Sequence, residues 1–174
     1  MTETVLTPRV IEQLNRPTGD AVCLPNAAYT SPEILDRERD EIFDRQWVIA
    51  GVGAELPRRG DVVPVEIAGR PVVLTRNRAG AVRAFHNVCR HRGLQLVGEA
   101  RRGCATLVCP YHSWAYSLDG ELKKTPHFGG HDCDDSPALD RREYGLAEIR
   151  CETWHDLIFV NLSGDAPPLA DCMG

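Results

Sequence analysis

VCRHRGLQLVGEARRGCATLVCPYHSW, residues 88–114, contains two short boxes, Cys89-Arg90-His91-Arg92-Gly93 and Cys109-Pro110-Tyr111-His112-Ser113-Trp114. Each box offers one thiolate and one imidazole, spaced Cys-x-His, seventeen residues, Cys-x-x-His. Four such donors can close a tetrahedral zinc site, which takes cysteine and histidine in any order. They can also be shared between two irons bridged by sulfides, with Cys89 and Cys109 on one iron and His91 and His112 on the other. A loop wrapped around bridging sulfides must turn tightly and aim backbone N–H groups inward. Gly93 permits such a turn and Pro110 helps to fix it.

The mixed donor set has an electrostatic consequence. A two-iron cluster held by four thiolates is already a dianion when oxidised, so an added electron works against existing charge. Two neutral imidazoles remove that burden, and the potential rises to about −150 to +300 mV.

Outward from the boxes the pattern is one of short strands broken by turn residues, an all-β signal. Trp47-Val48-Ile49-Ala50 reads as the first strand and Leu56 to Gly60 as a turn. Val63, Val65 and Ile67 then alternate with Pro64 and Glu66, so one face is expected to be buried and Pro64 marks an edge strand or bulge. Gly69-Arg70 turns into 71–76, Asn77 to Gly80 turns again, and 81–88 returns to deliver Cys89 to a loop tip. Residues 105–108 and 113–118 are expected to be the strands around the second box, with Asp119-Gly120 as their hairpin turn. Residues 123–147 read as irregular. Residues 146–162 close the sheet, with Leu157 to Val160 as a buried strand after a turn at Trp154-His155-Asp156.

Before this β region, Thr30-Ser31-Pro32-Glu33 opens a helix, capped either by Thr30 or by Ser31 with Pro32 in the first position. Ile34, Leu35, Ile42 and Phe43 share its apolar side. Residues 1–28 read as an N-terminal arm with one helical turn near Arg9 to Leu14, and residues 164–174 have linker composition.

Composition narrows the function. A chain of 174 residues with net charge −5 and pI about 5.7 lacks the broad basic face that nucleic acid requires. No run approaches eighteen apolar residues, and the first residues have neither a charged nor an apolar leader region, so the expectation is a cytoplasmic protein with no membrane partner. Seven cysteines are an odd number without framework spacing. Cys23, Cys104, Cys133, Cys151 and Cys172 are expected to be free thiols, with Cys104 packed on the opposite strand face from Cys109.

The residues Cys-Arg-His-Arg-Gly and Cys-Pro-Tyr-His-Ser-Trp-Ala-Tyr resemble the Rieske domain of ring-hydroxylating and N-demethylating oxygenase large subunits. The likeness runs from about Tyr29 to Pro168, through Trp47, Gly60-Asp61, Ala84-Phe85-His86-Asn87 and Asp119-Gly120. It implies a mainly β fold, a Rieske-type antiparallel β-sandwich with a cluster-binding subdomain of two loop tips, preceded by an N-terminal helix. The domain would span 29–163, with its core at 47–162. It implies a Rieske [2Fe-2S] cluster on Cys89, His91, Cys109 and His112, and these surroundings favour the cluster over zinc. Respiratory-chain members of the family carry two further cysteines and a serine at positions held here by Leu94, Tyr111 and Trp114. Fewer hydrogen bonds to sulfur place the expected potential near the low end of the Rieske range.

The resemblance further implies single-electron transfer from a reductase or ferredoxin to the non-haem iron of an oxygenase catalytic domain or subunit, commonly in a trimer. That catalytic domain is not expected within these residues, so the chain reads as an oxidoreductase component without its own catalytic residues or mononuclear Fe(II). A standalone soluble electron carrier is the alternative. His127, His131 and Asp132 have the composition of a two-His, one-carboxylate iron site. Pro126, Gly129 and Gly130 oppose the helix that would align them, and a loop without metal is expected. Arg90, Arg92, Arg101 and Arg102 either satisfy loop carbonyls and carboxylates, the commoner role, or form a docking patch for an acidic electron donor.

Overall fold

The structure is a computed structural model that describes residues 5–131, 133–134 and 139–174. It divides into two compact units, Met1–Asp44 and Arg45–Gly174.

In the first unit, α1 (Pro8–Leu14) starts where Thr7 accepts the Val10 N–H at 3.3 Å and Pro8 needs no amide partner. A four-residue turn, α2 (Ala27–Thr30), precedes α3 (Pro32–Glu38). Ser31 is the N-cap residue and Pro32 the first helical residue, the second of the two expected starts. The Ser31 hydroxyl bonds Glu33 at 2.5 Å rather than capping an amide. After Glu38 the chain widens into a π turn, Arg39–Phe43, which changes the phase of the apolar residues. The single apolar face expected from sequence is therefore broken, and Leu35 and Ile42 are 42% and 51% exposed.

The second unit is built on a six-stranded antiparallel sheet. Its strands are β1 (Val48–Val52), β2 (Val62–Ile67), β3 (Arg70–Arg76), β4 (Val82–His86), β8 (Glu148–Trp154) and β9 (Leu157–Asn161), in the order β1-β9-β8-β4-β3-β2. Pro64 lies on β2, which is an edge strand, where a missing amide is tolerated. Alternation decides which core each side chain enters. Val72 and Leu74 join Ile67, Ala84, Ile149, Ile158 and Val160 on one side, with Val63 and Val65 packed against them. Val73 and Phe85 face the other way, toward Leu107, Trp114 and Tyr116.

That second core is covered by a smaller sheet of β5 (Leu107–Val108), β6 (Ala115–Tyr116) and β7 (Leu122–Lys124), in order β5-β6-β7. The Asp119-Gly120 turn joins β6 to β7, so it does not connect the two strands flanking the second box. Residues 122–124, of which 123 and 124 fall in the stretch read as irregular from sequence, form a strand because Leu122 is buried and pairs with Tyr116. A Cβ on Gly120, at φ +84°, would lie 2.5 Å from the Phe85 ring. Thr75 donates its hydroxyl to Leu118 O at 2.8 Å, and Asn77 donates to Asp119 at 2.6 Å, so the two sheets are tied by polar bonds as well as by packing.

Residues 164–174, of linker composition, pack closely in their first half. Ala166 and Leu169 are buried, Trp47 Nε1 donates to Pro167 O at 2.8 Å, and Leu169 N–H donates to Glu152 at 3.1 Å. A short helix, α4 (Leu169–Met173), follows.

Candidate metal centre on two matched loops

Both boxes sit on loops closed by the same two backbone bonds. In the first, Cys89 N–H donates to Leu94 O at 2.8 Å and Gly93 N–H donates to Cys89 O at 2.9 Å. In the second, Cys109 N–H donates to Trp114 O at 2.8 Å and Ser113 N–H donates to Cys109 O at 3.0 Å. The fourth residue after each cysteine is left-handed, Gly93 at φ +73° and Ser113 at φ +57°. Glycine adopts that region freely and serine does not, so the second loop holds a strained residue where the first holds an unstrained one. The first loop is further pinned by Asn87, fully buried, which donates to Val97 O at 2.7 Å and accepts Val97 N–H at 3.0 Å. The second is carried by the β5–β6 pair, where Val108 faces Ala115.

These loops bring the two expected thiols together and the two expected imidazoles together. The Cys89 and Cys109 thiols are buried in the core beneath the small sheet, and each lies within hydrogen-bonding reach of the other. The His91 and His112 rings are half-buried, with centroids 4.8 Å apart and planes at 66°. Trp114 stacks on His91 at 4.6 Å and 7°, while the exposed Tyr111 ring covers His112 at 3.7 Å. His112 Nδ1 is buried and has no hydrogen-bond partner among the described residues. An imidazole nitrogen in that state bears a desolvation cost that a metal ion would relieve. Among the described residues no three His, Cys, Asp or Glu side chains converge on one point as a single ion requires. The two thiols neighbour each other, and so do the two imidazoles.

The local field favours a metal-ready protonation state for the His91 imidazole and resists one for the Cys109 thiol. Burial, and then the neighbouring His112 and Arg92, lower the His91 pKa, so its ring is neutral at physiological pH. Burial raises the Cys109 pKa, opposed by the backbone N–H groups of Tyr111 and His112, which point at its sulfur. A metal ion must displace the thiol proton, which makes loading weaker as pH falls.

Tyr116, two residues beyond the second box, has a role at the site that the sequence pattern does not predict. Its hydroxyl lies 3.4 Å from Cys89 Sγ and accepts the Arg90 N–H at 3.1 Å, and burial followed by Cys89 raises its pKa. Alternation along β6 gave the available signal, since Tyr116 falls on the Trp114 side of the strand. Cys104 is corrected as well. It lies outside β5, donates its N–H to Gly60 O at 2.7 Å, and packs against the same core as Cys109 rather than on an opposite face.

The remaining candidates stay apart from this cluster of donors. His127 and His131 are exposed with ring centroids 6.4 Å apart, and His127 has φ +60°, so the loop is not a helix. Asp132 lies outside the described residues. Arg102 pairs with buried Asp61 at 3.3 Å, and Arg101 exchanges two backbone bonds with Val62. Arg90 and Arg92 are exposed and, among the described residues, pair with no carboxylate.

Residues 46–133 match the family model described as Rieske [2Fe-2S] domain. The chain is 38% identical over 148 residues to the glycine betaine monooxygenase oxygenase subunit of Pseudomonas aeruginosa, a match covering 85% of this chain and 33% of the relative. It is 32% identical to the carnitine monooxygenase oxygenase subunit of Escherichia coli, covering 87% of this chain and 39% of the relative. Among solved structures, the apo quaternary ammonium Rieske monooxygenase CntA superposes with TM-score 0.77 at 28% identity, over 87% of this chain and 43% of that one. Naphthalene 1,2-dioxygenase from Rhodococcus sp. gives TM-score 0.77 at 32% identity, over 87% and 34%. The chain thus spans about a third of the length of the curated relatives it matches.

Proposed function

The chain belongs to the Rieske [2Fe-2S] domain family, and from that premise we propose that Cys89 and Cys109 hold one iron of the cluster while His91 and His112 hold the other. The observation that carries this reading is the pair of matched loops, which present two buried thiols and two half-buried imidazoles, one of them with an Nδ1 that has no partner among the described residues. A closed zinc site would need all four donors around one centre. Two separate pairs fit two irons better.

When bound, the cluster accepts and releases one electron at a time. The protein's own residues set the conditions. Cys109 gives up its proton on loading, His91 stays neutral, and Tyr116 donates a hydrogen bond to the Cys89 sulfur. The half-exposed imidazoles and the exposed Tyr111 ring leave a short path from surface to site.

In the whole protein, this domain passes electrons from a reductase or ferredoxin to the non-haem iron of an oxygenase catalytic domain or subunit, within a trimer. The quaternary-ammonium branch is the favoured one, supported by the relatives named for glycine betaine and carnitine. Arg90 and Arg92, without carboxylate partners among the described residues, make the rim of the site positive on an acidic chain. Stopped-flow reduction by an acidic ferredoxin slows as salt rises if they steer the encounter. The domain reading of 29–163, with an arm before it and a linker after it, completes the proposal.

The test is anaerobic reconstitution followed by iron and acid-labile sulfide counts on the parent and on C89S, H91A, C109S and H112A. The proposal expects two irons and two sulfides per parent chain and loss of cluster in every variant. A parent protein that binds one zinc tightly and no sulfide refutes it. A standalone carrier is distinguished by adding reductase, O₂ and a quaternary ammonium substrate to the protein with its catalytic partner, where only the oxygenase reading gives coupled substrate oxidation.

A further inference from the structure

Histidines that bind metal ordinarily have their ring orientation set by a hydrogen bond from the second ring nitrogen. Among the described residues His91 makes none. Its ring instead lies flat on Trp114, with centroids 4.6 Å apart and planes within 7°. The indole is itself fixed. It is 1% exposed, with Phe128 and Tyr144 edge-on at 5.5 and 5.9 Å. The same residue's carbonyl accepts the Cys109 N–H at 2.8 Å. One residue of the second box therefore grips the imidazole of the first box and the cysteine turn of its own.

We propose that Trp114 is a positioning residue for His91: its face sets the plane of an imidazole that no hydrogen bond from the described residues holds, and registers one loop against the other. The proposal rests on the assignment of His91 as an iron ligand. The effect belongs to one histidine. Tyr111 over His112 is tilted by 32° and is 57% exposed, so it constrains its neighbour less.

Two measurements test this. In the metal-free protein, proton and carbon NMR reads the His91 ring directly, and a stacked indole shifts the His91 ring protons upfield of those of exposed His127. Ring protons at ordinary imidazole positions would overturn the proposal without any variant. In the reduced, loaded protein, pulsed electron paramagnetic resonance resolves the two histidine ¹⁴N couplings, compared across the parent, W114F and W114L. W114F retains a flat face and keeps both couplings, whereas W114L retains bulk alone and shifts or broadens one of the two. Couplings in W114L that match the parent, or that both move together, refute the positioning role. A loaded parent showing no histidine nitrogen coupling instead refutes the ligand assignment, so the two failures are separable.

Discussion

Replacing Tyr116 with phenylalanine removes one oxygen from a fully buried ring and leaves the packing intact. That oxygen stands 3.4 Å from Cys89 Sγ and accepts the Arg90 N–H at 3.1 Å. The phenol is the donor to sulfur, because burial and the adjacent Cys89 both raise its pKa and keep it protonated. A reduced cluster carries one more negative charge than an oxidised one, so this hydrogen bond is stronger in the reduced state and raises the potential. If the bond is worth about 0.5–1.5 kcal/mol more on reduction, comparable to a typical net hydrogen bond, the change is a factor of roughly 2–13 in the redox equilibrium. At about 59 mV per tenfold for one electron, Y116F lowers the midpoint by roughly 20–65 mV. Protein-film voltammetry on parent and Y116F at one pH reads this shift. A midpoint unchanged or raised in Y116F, with the cluster content of the parent, would refute the argument that this hydroxyl tunes the Cys89 sulfur.

Two further expectations follow from backbone and burial. Ser113 sits at φ +57° where the matching loop has Gly93, so S113G raises the thermal midpoint by relieving about 1 kcal/mol of left-handed strain. G93A costs roughly the same amount although its Cβ would meet nothing within 4 Å, and calorimetry on both variants checks the opposite signs. Burial pushes the Cys151 thiol from 9.0 up to about 11. A raised folded-state pKa adds stability that is complete below pH 9.0 and is lost as pH climbs to about 11. Denaturant unfolding of the parent should lose roughly 2 kcal/mol more than C151A across that window; equal slopes for the two proteins would count against it.

The strands and the two boxes were legible because their information is local. Val63, Val65 and Ile67 alternate, Pro64 reports an edge, and the Cys and His spacings stand in plain view. What escaped depended on contacts distant in sequence. Tyr116 acquires a role only when β6 brings its hydroxyl to a cysteine in the other box. Cys104 was misplaced because strand alternation was extended into a segment that bonds Gly60 instead of pairing in a strand. The π turn at Arg39–Phe43 leaves no sequence mark of its own and shifts the phase on which the apolar-face reading depended. The ordered start of the tail was hidden because its anchors, Trp47, Arg150 and Glu152, lie far from Pro-Pro in the chain.

The most direct measurement of the centre is the Mössbauer spectrum of ⁵⁷Fe-reconstituted, half-exposed-imidazole protein before and after one-electron reduction. Donors divided as a thiol pair and an imidazole pair predict two inequivalent iron sites in equal amounts, with the added electron confined to the histidine-bound iron. A single class of equivalent irons, or a protein that takes up no iron while binding one zinc per chain, would contradict the account.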